Sequence, residues 1–230
     1  MVTFKLLAFV AAEAREFSGL LRHAERVIKL NWPVDFARKI WLNGRVALLI
    51  ANGPGPALAG EAVEIAKGRE KLTGLVSTGF CGALDPALRL SDIFVATEVG
   101  VGQALPPAHT NPHQTGTLLS IDRVAVTSAE KSQLHQTGAA AVEMEAAGVA
   151  AKAKEYNLPF YCIRVVTDTA GESFPLDFNQ MRDANGRFSR SKILAAAFRK
   201  PTVFPKLLKF DKTSKDASQA LGDFIADTRF

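Results

Sequence analysis

The chain has 230 residues, of which 47% are hydrophobic, and a formal charge of +5. That composition excludes intrinsic disorder, and the length suits one domain spanning 1–230. With no long basic run, the modest excess argues against nucleic acid as a partner and leaves an anionic ligand or membrane surface open.

In chain order, "VTFKLLAFVA" (2–11) is strand-like, and a helix is expected from Glu13 to about Ile28. The start reads as a strand entering a helix rather than as a signal peptide. "RVALLIANGPG" (45–55) predicts a second strand ending in Gly53-Pro54-Gly55, then a helix from about Ala57 to Lys71. "LTGLVSTGFCGAL" (72–84) predicts a third strand with a glycine-rich exit, and "SDIFVATEVG" (91–100) a fourth. "GQALPPAHTNPHQTG" (102–116) has loop composition. "AAAVEMEAAGVAAKAKEYN" (139–157) predicts a helix, and "LPFYCIRVVTD" (158–168) a fifth strand, followed by a turn and C-terminal helices. Near-continuous apolar strands alternating with helices predict an α/β fold whose sheet is covered on both faces. Cys81 and Cys162 sit in apolar runs and read as buried thiols of a reducing compartment. No apolar run reaches the ~18–20 residues of a bilayer span, so a cytoplasmic protein is expected.

Counted from Val142, the helical stripe reads Val142, Glu145, Ala146, Val149, Ala150, Ala153, which puts Glu145 on an apolar face. A buried carboxylate needs a partner. Either a bound polyol or Arg164 on the following strand could supply it. Asp168 ends an apolar strand and is either a general acid raised by burial or a cap for the turn after it. Gly79 and Gly82 mark the exit of the third strand, and ligands of open α/β sheets sit beyond the carboxyl ends of strands. The histidines, His23, His109, His113 and His135, are scattered, and no cysteine or acid run completes a metal set with them.

"STGFCGAL", "VEMEAAGVA" and "LPFYCIRVVTD", in this order, resemble the nucleoside phosphorylase superfamily, which includes purine nucleoside phosphorylases and methylthioadenosine/S-adenosylhomocysteine nucleosidases. "IDRVAVTSAEKSQLHQTGAAAVEME" and the basic tail look more narrowly like its hopanoid-associated branch, thought to remove adenine from adenosylhopane. The resemblance implies a three-layer α/β/α sandwich with a central mixed, partly barrel-like sheet, and a homodimer or higher homo-oligomer. It implies that Glu145 grips the ribose hydroxyls, Met144 packs under the sugar and Asp168 protonates the purine. It places Phe80, Cys81 and Gly82 beside the sugar and Val124 against the base, with Glu143 nearby in the Glu-Met-Glu element. It puts Gly79 and Arg15 on the side of the phosphate or water.

Two departures pull in opposite directions. Phe80 stands where phosphorylases carry a Ser or Thr, which argues against phosphate. Arg15 stands where hydrolytic members carry a glutamate, with Glu13 and Glu16 near, which argues for phosphate. The balance leans to phosphate as co-substrate, with no other cofactor. The expected function is release of adenine from a 5′-modified, adenosylhopane-like adenosine. A hydrolytic methylthioadenosine/S-adenosylhomocysteine nucleosidase and a non-catalytic nucleoside-binding module are the alternatives. The 102–116 loop is shorter than in many relatives, which implies room for a bulky 5′ group. The tail from 199 to 230 begins with "RKPTVFPKLLKFDKTSK" (199–215), a basic amphipathic segment that either packs on the core or meets an anionic membrane.

Overall fold

The computed structural model describes residues 5–100, 102–108 and 111–230, with Arg190 described in its backbone alone. Strand β1 (Leu6–Ala11) leads through a 3-10 turn (Ala14–Phe17) into α1 (Ser18–Arg22). Strands β2 (Arg26–Lys29), β3 (Phe36–Leu42) and β4 (Arg45–Ala51) follow, then α2 (Pro56–Lys67). Next come β5 (Gly74–Ala83), β6 (Ile93–Val99), β7 (Gly102–Gln103), β8 (Gln114–Ser120) and α3 (Ser128–His135). The chain continues through β9 (Ala141–Glu143), α4 (Ala146–Glu155) and β10 (Phe160–Asp168). A 3-10 turn (Phe178–Met181), α5 (Arg190–Arg199), a second turn (Pro201–Val203) and α6 (Phe204–Asp227) complete it.

The strands form one mixed sheet. Strand β10 pairs parallel with β5 and antiparallel with β6, and β9 returns to β5 through Gly82↔Val142. The ring β5–β10–β6–β8–β9 is therefore closed, and β1, β4, β3 and β2 extend it as an open wing. Side chains alternate across the wing as a strand requires. Ala8 and Val10 join a core with Ala62, Val63 and Val149 of α2 and α4. Phe9 and Ala11 join a second core with Leu20, Leu221 and Ile225 of α1 and α6. Helices thus cover both faces, giving the expected layered α/β architecture.

Three sequence expectations need correction. The helix expected from Glu13 to Ile28 stops at Arg22, because Arg26–Lys29 pairs antiparallel with Arg38–Trp41 as an edge strand. The expected loop 102–116 gives up both ends, its first residues to β7 and its last to β8. The helix expected over 139–157 begins only at Ala146, since Ala141–Glu143 is a strand seated between β5 and β8. Glu145 is consequently the residue before that helix and not a member of its apolar stripe.

His109 lies outside the described residues. His23 meets Asp223 at 2.7 Å, while the rings of His113 and His135 bond main-chain carbonyls of Asn111 and Ala139. Among the described residues no group of three or more His, Cys, Asp or Glu could hold a metal ion, and no helix is long and apolar enough to cross a membrane.

Candidate active site

The carboxyl ends of β5 and β10, the β9–α4 junction and the 3-10 turn after β1 meet around a cleft of about 170 Å³. Four buried carboxylates line it: Glu16, Glu143, Glu145 and Asp168. Each is held differently, and the bonds indicate which have capacity left for a ligand.

Glu143 is spent on structure. Its oxygens accept from the main-chain N–H of Glu145 at 2.9 Å and of Ala146 at 2.9 and 3.1 Å, so it caps the start of α4 from strand β9. It also meets Arg164 Nη2 at 2.5 Å. Arg164, fully buried on β10, is fastened further by bonds to the Thr78 carbonyl (2.9 Å) and Ser77 Oγ (2.5 Å) on the adjacent β5.

Glu145 occupies the helix N-cap position yet makes no capping bond. Its Oε1 accepts from Gly55 N–H at 3.1 Å, and Arg164 Nη1 lies 3.7 Å from Oε2, beyond hydrogen-bond range. Burial, reinforced by the charge of Glu143 and opposed by Arg164, pushes its pKa up to about 8. Of the two partners open at the sequence level, Arg164 is committed mainly to Glu143. Glu145 keeps acceptor capacity facing the cleft beside the buried Met144.

Glu16 is the carboxylate beside the glycine-rich exit. It accepts from Glu13 N–H at 2.7 Å and from Phe80 N–H at 2.8 Å, one bond to each oxygen. A Cβ on Gly79, whose φ is +134°, would collide with Glu16 Oε1, so this glycine makes the approach possible. Burial raises the Glu16 pKa, with the two N–H donors and Arg164 opposing. Arg15, one position earlier, is 48% exposed, pairs with Glu13 at 2.7 Å and lies over the Phe80 ring at 5.8 Å. Arg15 does line the cleft, but the buried charge at this point is an acid.

Asp168 ends β10, and a Cβ on Gly82 would come within 2.7 Å of its Oδ2. Thr167 Oγ1 donates to Oδ1 at 3.0 Å, and Lys131 Nζ donates to Oδ2 and to the Thr169 carbonyl, the latter at 2.8 Å. Burial raises the Asp168 pKa despite the Lys131 charge. Cys81, also on the cleft wall, is pushed well above the usual thiol range by burial and behaves as an apolar filler.

Val124 lines the cleft, but the Asn179 side chain engages its main chain on both sides. Val124 N–H donates to Asn179 Oδ1 at 2.8 Å, and Asn179 Nδ2 donates to the Val124 carbonyl at 3.0 Å. Phe174, Phe178, Phe188 and Phe210 form one cluster of ring contacts, centroids 5.4–6.4 Å apart, that walls the cleft next to Asp168.

Sequence reasoning did not single out Lys131, Asn179 or the phenylalanine wall. Helix α3 is polar nearly throughout, so no apolar stripe made Lys131 conspicuous, although it is fully buried. Glu16 was visible only as a neighbour of Arg15.

The family model described as "Phosphorylase superfamily" matches residues 101–198, the segment that holds Lys131, Glu143, Glu145 and Asp168. A 5′-methylthioadenosine/S-adenosylhomocysteine nucleosidase of Bacillus licheniformis is 26% identical over 190 residues, 66% of this chain and 80% of that protein. The enzyme of that description from Psychromonas ingrahamii is 25% identical over 173 residues, 60% of this chain and 75% of that one. The Neisseria meningitidis nucleosidase, solved in complex with methylthio-immucillin-A, superposes with a TM-score of 0.71 at 21% identity, covering 97% of this chain and 98% of that one. A futalosine hydrolase mutant of Helicobacter pylori gives 0.69 at 15% identity, covering 97% of each chain. Residues 101–198 are thus similar to the phosphorylase superfamily. The whole fold is similar to that of the solved nucleosidases, and the matched segment carries three of the four cleft carboxylates.

Proposed function

We propose that the protein cleaves the N-glycosidic bond of a 5′-modified adenosine and releases adenine, with water as the nucleophile. The relatives' nucleosidase chemistry and the division of labour among the buried carboxylates support this reading. The observation that carries it is Glu16. A buried carboxylate held by two main-chain N–H groups sits at the glycine-rich exit, where phosphorolysis needs an anion site. A second negative charge there repels phosphate, whereas a carboxylate of raised pKa is suited to take a proton from water. This reverses the balance drawn from Phe80 and Arg15 alone.

In this mechanism Glu145 accepts both ribose hydroxyls and favours positive charge on the sugar as the C1′–N9 bond lengthens. Protonated Asp168 gives its proton to purine N7 as the base departs, a contribution of about 10²–10⁴-fold. The water oxygen bonds C1′ and its proton passes to Glu16. Lys131 sets the state of Asp168. Its ammonium, bonded to Asp168 Oδ2 and the Thr169 carbonyl, holds that carboxyl in place as negative charge moves toward the base. An adenine edge offers the same acceptor–donor pair as an amide, so base binding against Val124 requires the Asn179 amide to turn away. The phenylalanine wall suits an apolar 5′ substituent, with an adenosylhopane-like group as the most elaborate candidate.

The presence of Arg15 on the cleft wall favours phosphorolysis as the second reading. The deciding experiment measures adenine release from methylthioadenosine, adenosine and a long-chain 5′-alkyl adenosine, with and without phosphate, and identifies the sugar product. Release without phosphate, yielding free sugar and lost in Glu16→Gln, is the expected result. A strict phosphate requirement with a sugar 1-phosphate product supports the second reading instead. Nucleoside binding without release from any substrate leaves a binding module.

A further inference from the structure

The chain's positive charge is concentrated in one place. Residues 190–215 hold eight lysines and arginines against a single acid, Asp211, so this stretch exceeds the whole chain's +5 and the remainder is net negative. The same stretch, α5 and the first half of α6, carries the most exposed large apolar side chains among the described residues. Phe198 is 72% exposed, Leu208 70% and Leu194 53%. They belong to one stripe. Leu194 and Phe198 are one turn apart on α5, Phe204 and Leu208 one turn apart on α6, and the Phe198 and Phe204 rings meet at 5.9 Å across the junction. Arg199, Lys200, Lys206 and Lys212 are exposed around it. On the inner side Ala197 and Val203 are buried, and Phe210 walls the cleft.

We infer that this α5–α6 face docks on the surface of an anionic lipid bilayer, inserting Leu194, Phe198 and Leu208 at the headgroup–acyl boundary while the surrounding cations meet lipid phosphates. Apolar side chains ringed by lysine and arginine are the composition that interfacial binding needs. Charge decides among the occupants. A second copy joined through this face in two-fold fashion sets two strongly positive surfaces against each other. A nucleic acid satisfies the cations but leaves three exposed apolar side chains without an apolar partner. A bilayer satisfies both.

The test uses the full chain and vesicles of phosphatidylcholine with or without roughly one-third phosphatidylglycerol, read by co-sedimentation. The expected result is binding to the anionic vesicles, little to phosphatidylcholine alone, and strong weakening at about 0.5 M salt, where charges are screened. Phe198→Ser with Leu208→Ser should weaken binding by tenfold or more. Each of Arg199→Gln, Lys200→Gln and Lys212→Gln should weaken it by about fivefold. Phe198→Trp should be quenched by brominated lipid beyond any quenching of Trp32 and Trp41 in the parent. No binding to anionic vesicles at low salt overturns the inference. So does binding undiminished in the Ser double variant, which is adsorption by charge alone. Vesicle-free self-association that the double variant abolishes also overturns it. None of these residues lines the cleft, so methylthioadenosine cleavage, if present, serves as the folding control.

Discussion

Arg164 and Lys131 are the two cations fully buried among the described residues, and each is paired with a cleft carboxylate. Their surroundings differ. Arg164 is bonded to Glu143, Thr78 and Ser77, and Glu143 is itself used up capping α4. Lys131 has Asp168 and one carbonyl, and Asp168 borders the cleft. A guanidinium does not lose its charge in a protein, so the Arg164 pair is locked as an ion pair. The Lys131 pair instead holds a carboxyl whose pKa burial raises and which faces the cleft. One buried pair builds the site and the other can take part in its chemistry.

The largest expected effect separates the two pairs directly. Asp168→Asn should lower kcat for adenine release by about 10²–10⁴-fold while nucleoside binding, measured by calorimetry, persists. The Asn carbonyl oxygen can still accept from Lys131 Nζ, so the melting temperature of this variant should fall much less than that of Glu143→Ala. The latter strands a permanently charged Arg164 and removes the α4 cap, for a loss of about 3–5 kcal/mol in denaturant unfolding. Equal destabilisation by the two variants would erase the distinction.

Glu145 tests the comparison through pH. In the proposed mechanism Glu145 accepts two hydroxyls in its ionised form, so kcat/KM should rise with pH through about 8. Glu145→Gln should remove that limb and weaken binding by about tenfold or more. Stability runs the opposite way. A carboxylate raised from 4.5 to about 8 on folding contributes nothing unfavourable at low pH and a growing penalty as pH rises through that window. Glu145→Gln should therefore match the parent's melting temperature near pH 4.5 and exceed it at pH 9. A lower melting temperature for the variant at pH 9 would contradict a desolvated, underpaired Glu145.

A smaller effect is expected at Lys131. With its cation gone, Lys131→Met should raise the Asp168 pKa further and move the high-pH descending limb of activity to higher pH. A merely structural lysine would lower activity at every pH without moving the limb. The smallest effect belongs to Asn179→Ala. Freeing the Val124 main chain should change KM for adenosine by a few-fold and leave kcat nearly constant.

Much of the fold was legible because parallel-sheet strands announce themselves locally. Five expected strands correspond to β1, β4, β5, β6 and β10, and the helix expected from Ala57 corresponds to α2. The strands not anticipated are β2, β3, β7, β8 and β9; β2 and β8 are largely polar, β7 and β9 are two and three residues long, and none carries the near-continuous apolar run of a buried parallel strand. Asp168 stood out because a charge ending an apolar strand is a local anomaly. Glu145 stood out for a different reason from the true one. Counted as helix it broke a stripe, but it is the uncapping residue at a strand–helix junction.

The sequence by itself determined the alternation of strands and helices, the glycines at the β5 exit and the acids at 145 and 168, since each follows from spacing along the chain. Only the tertiary structure decided which acid near residue 15 is buried at the cleft, because the 3-10 turn buries Glu16 and leaves Glu13 and Arg15 on the exposed rim. It also decided that Arg164 belongs to Glu143 and Lys131 to Asp168. Residues 21 and 37 apart in sequence find each other only once the sheet has closed and brought β5, β9, β10 and α3 together.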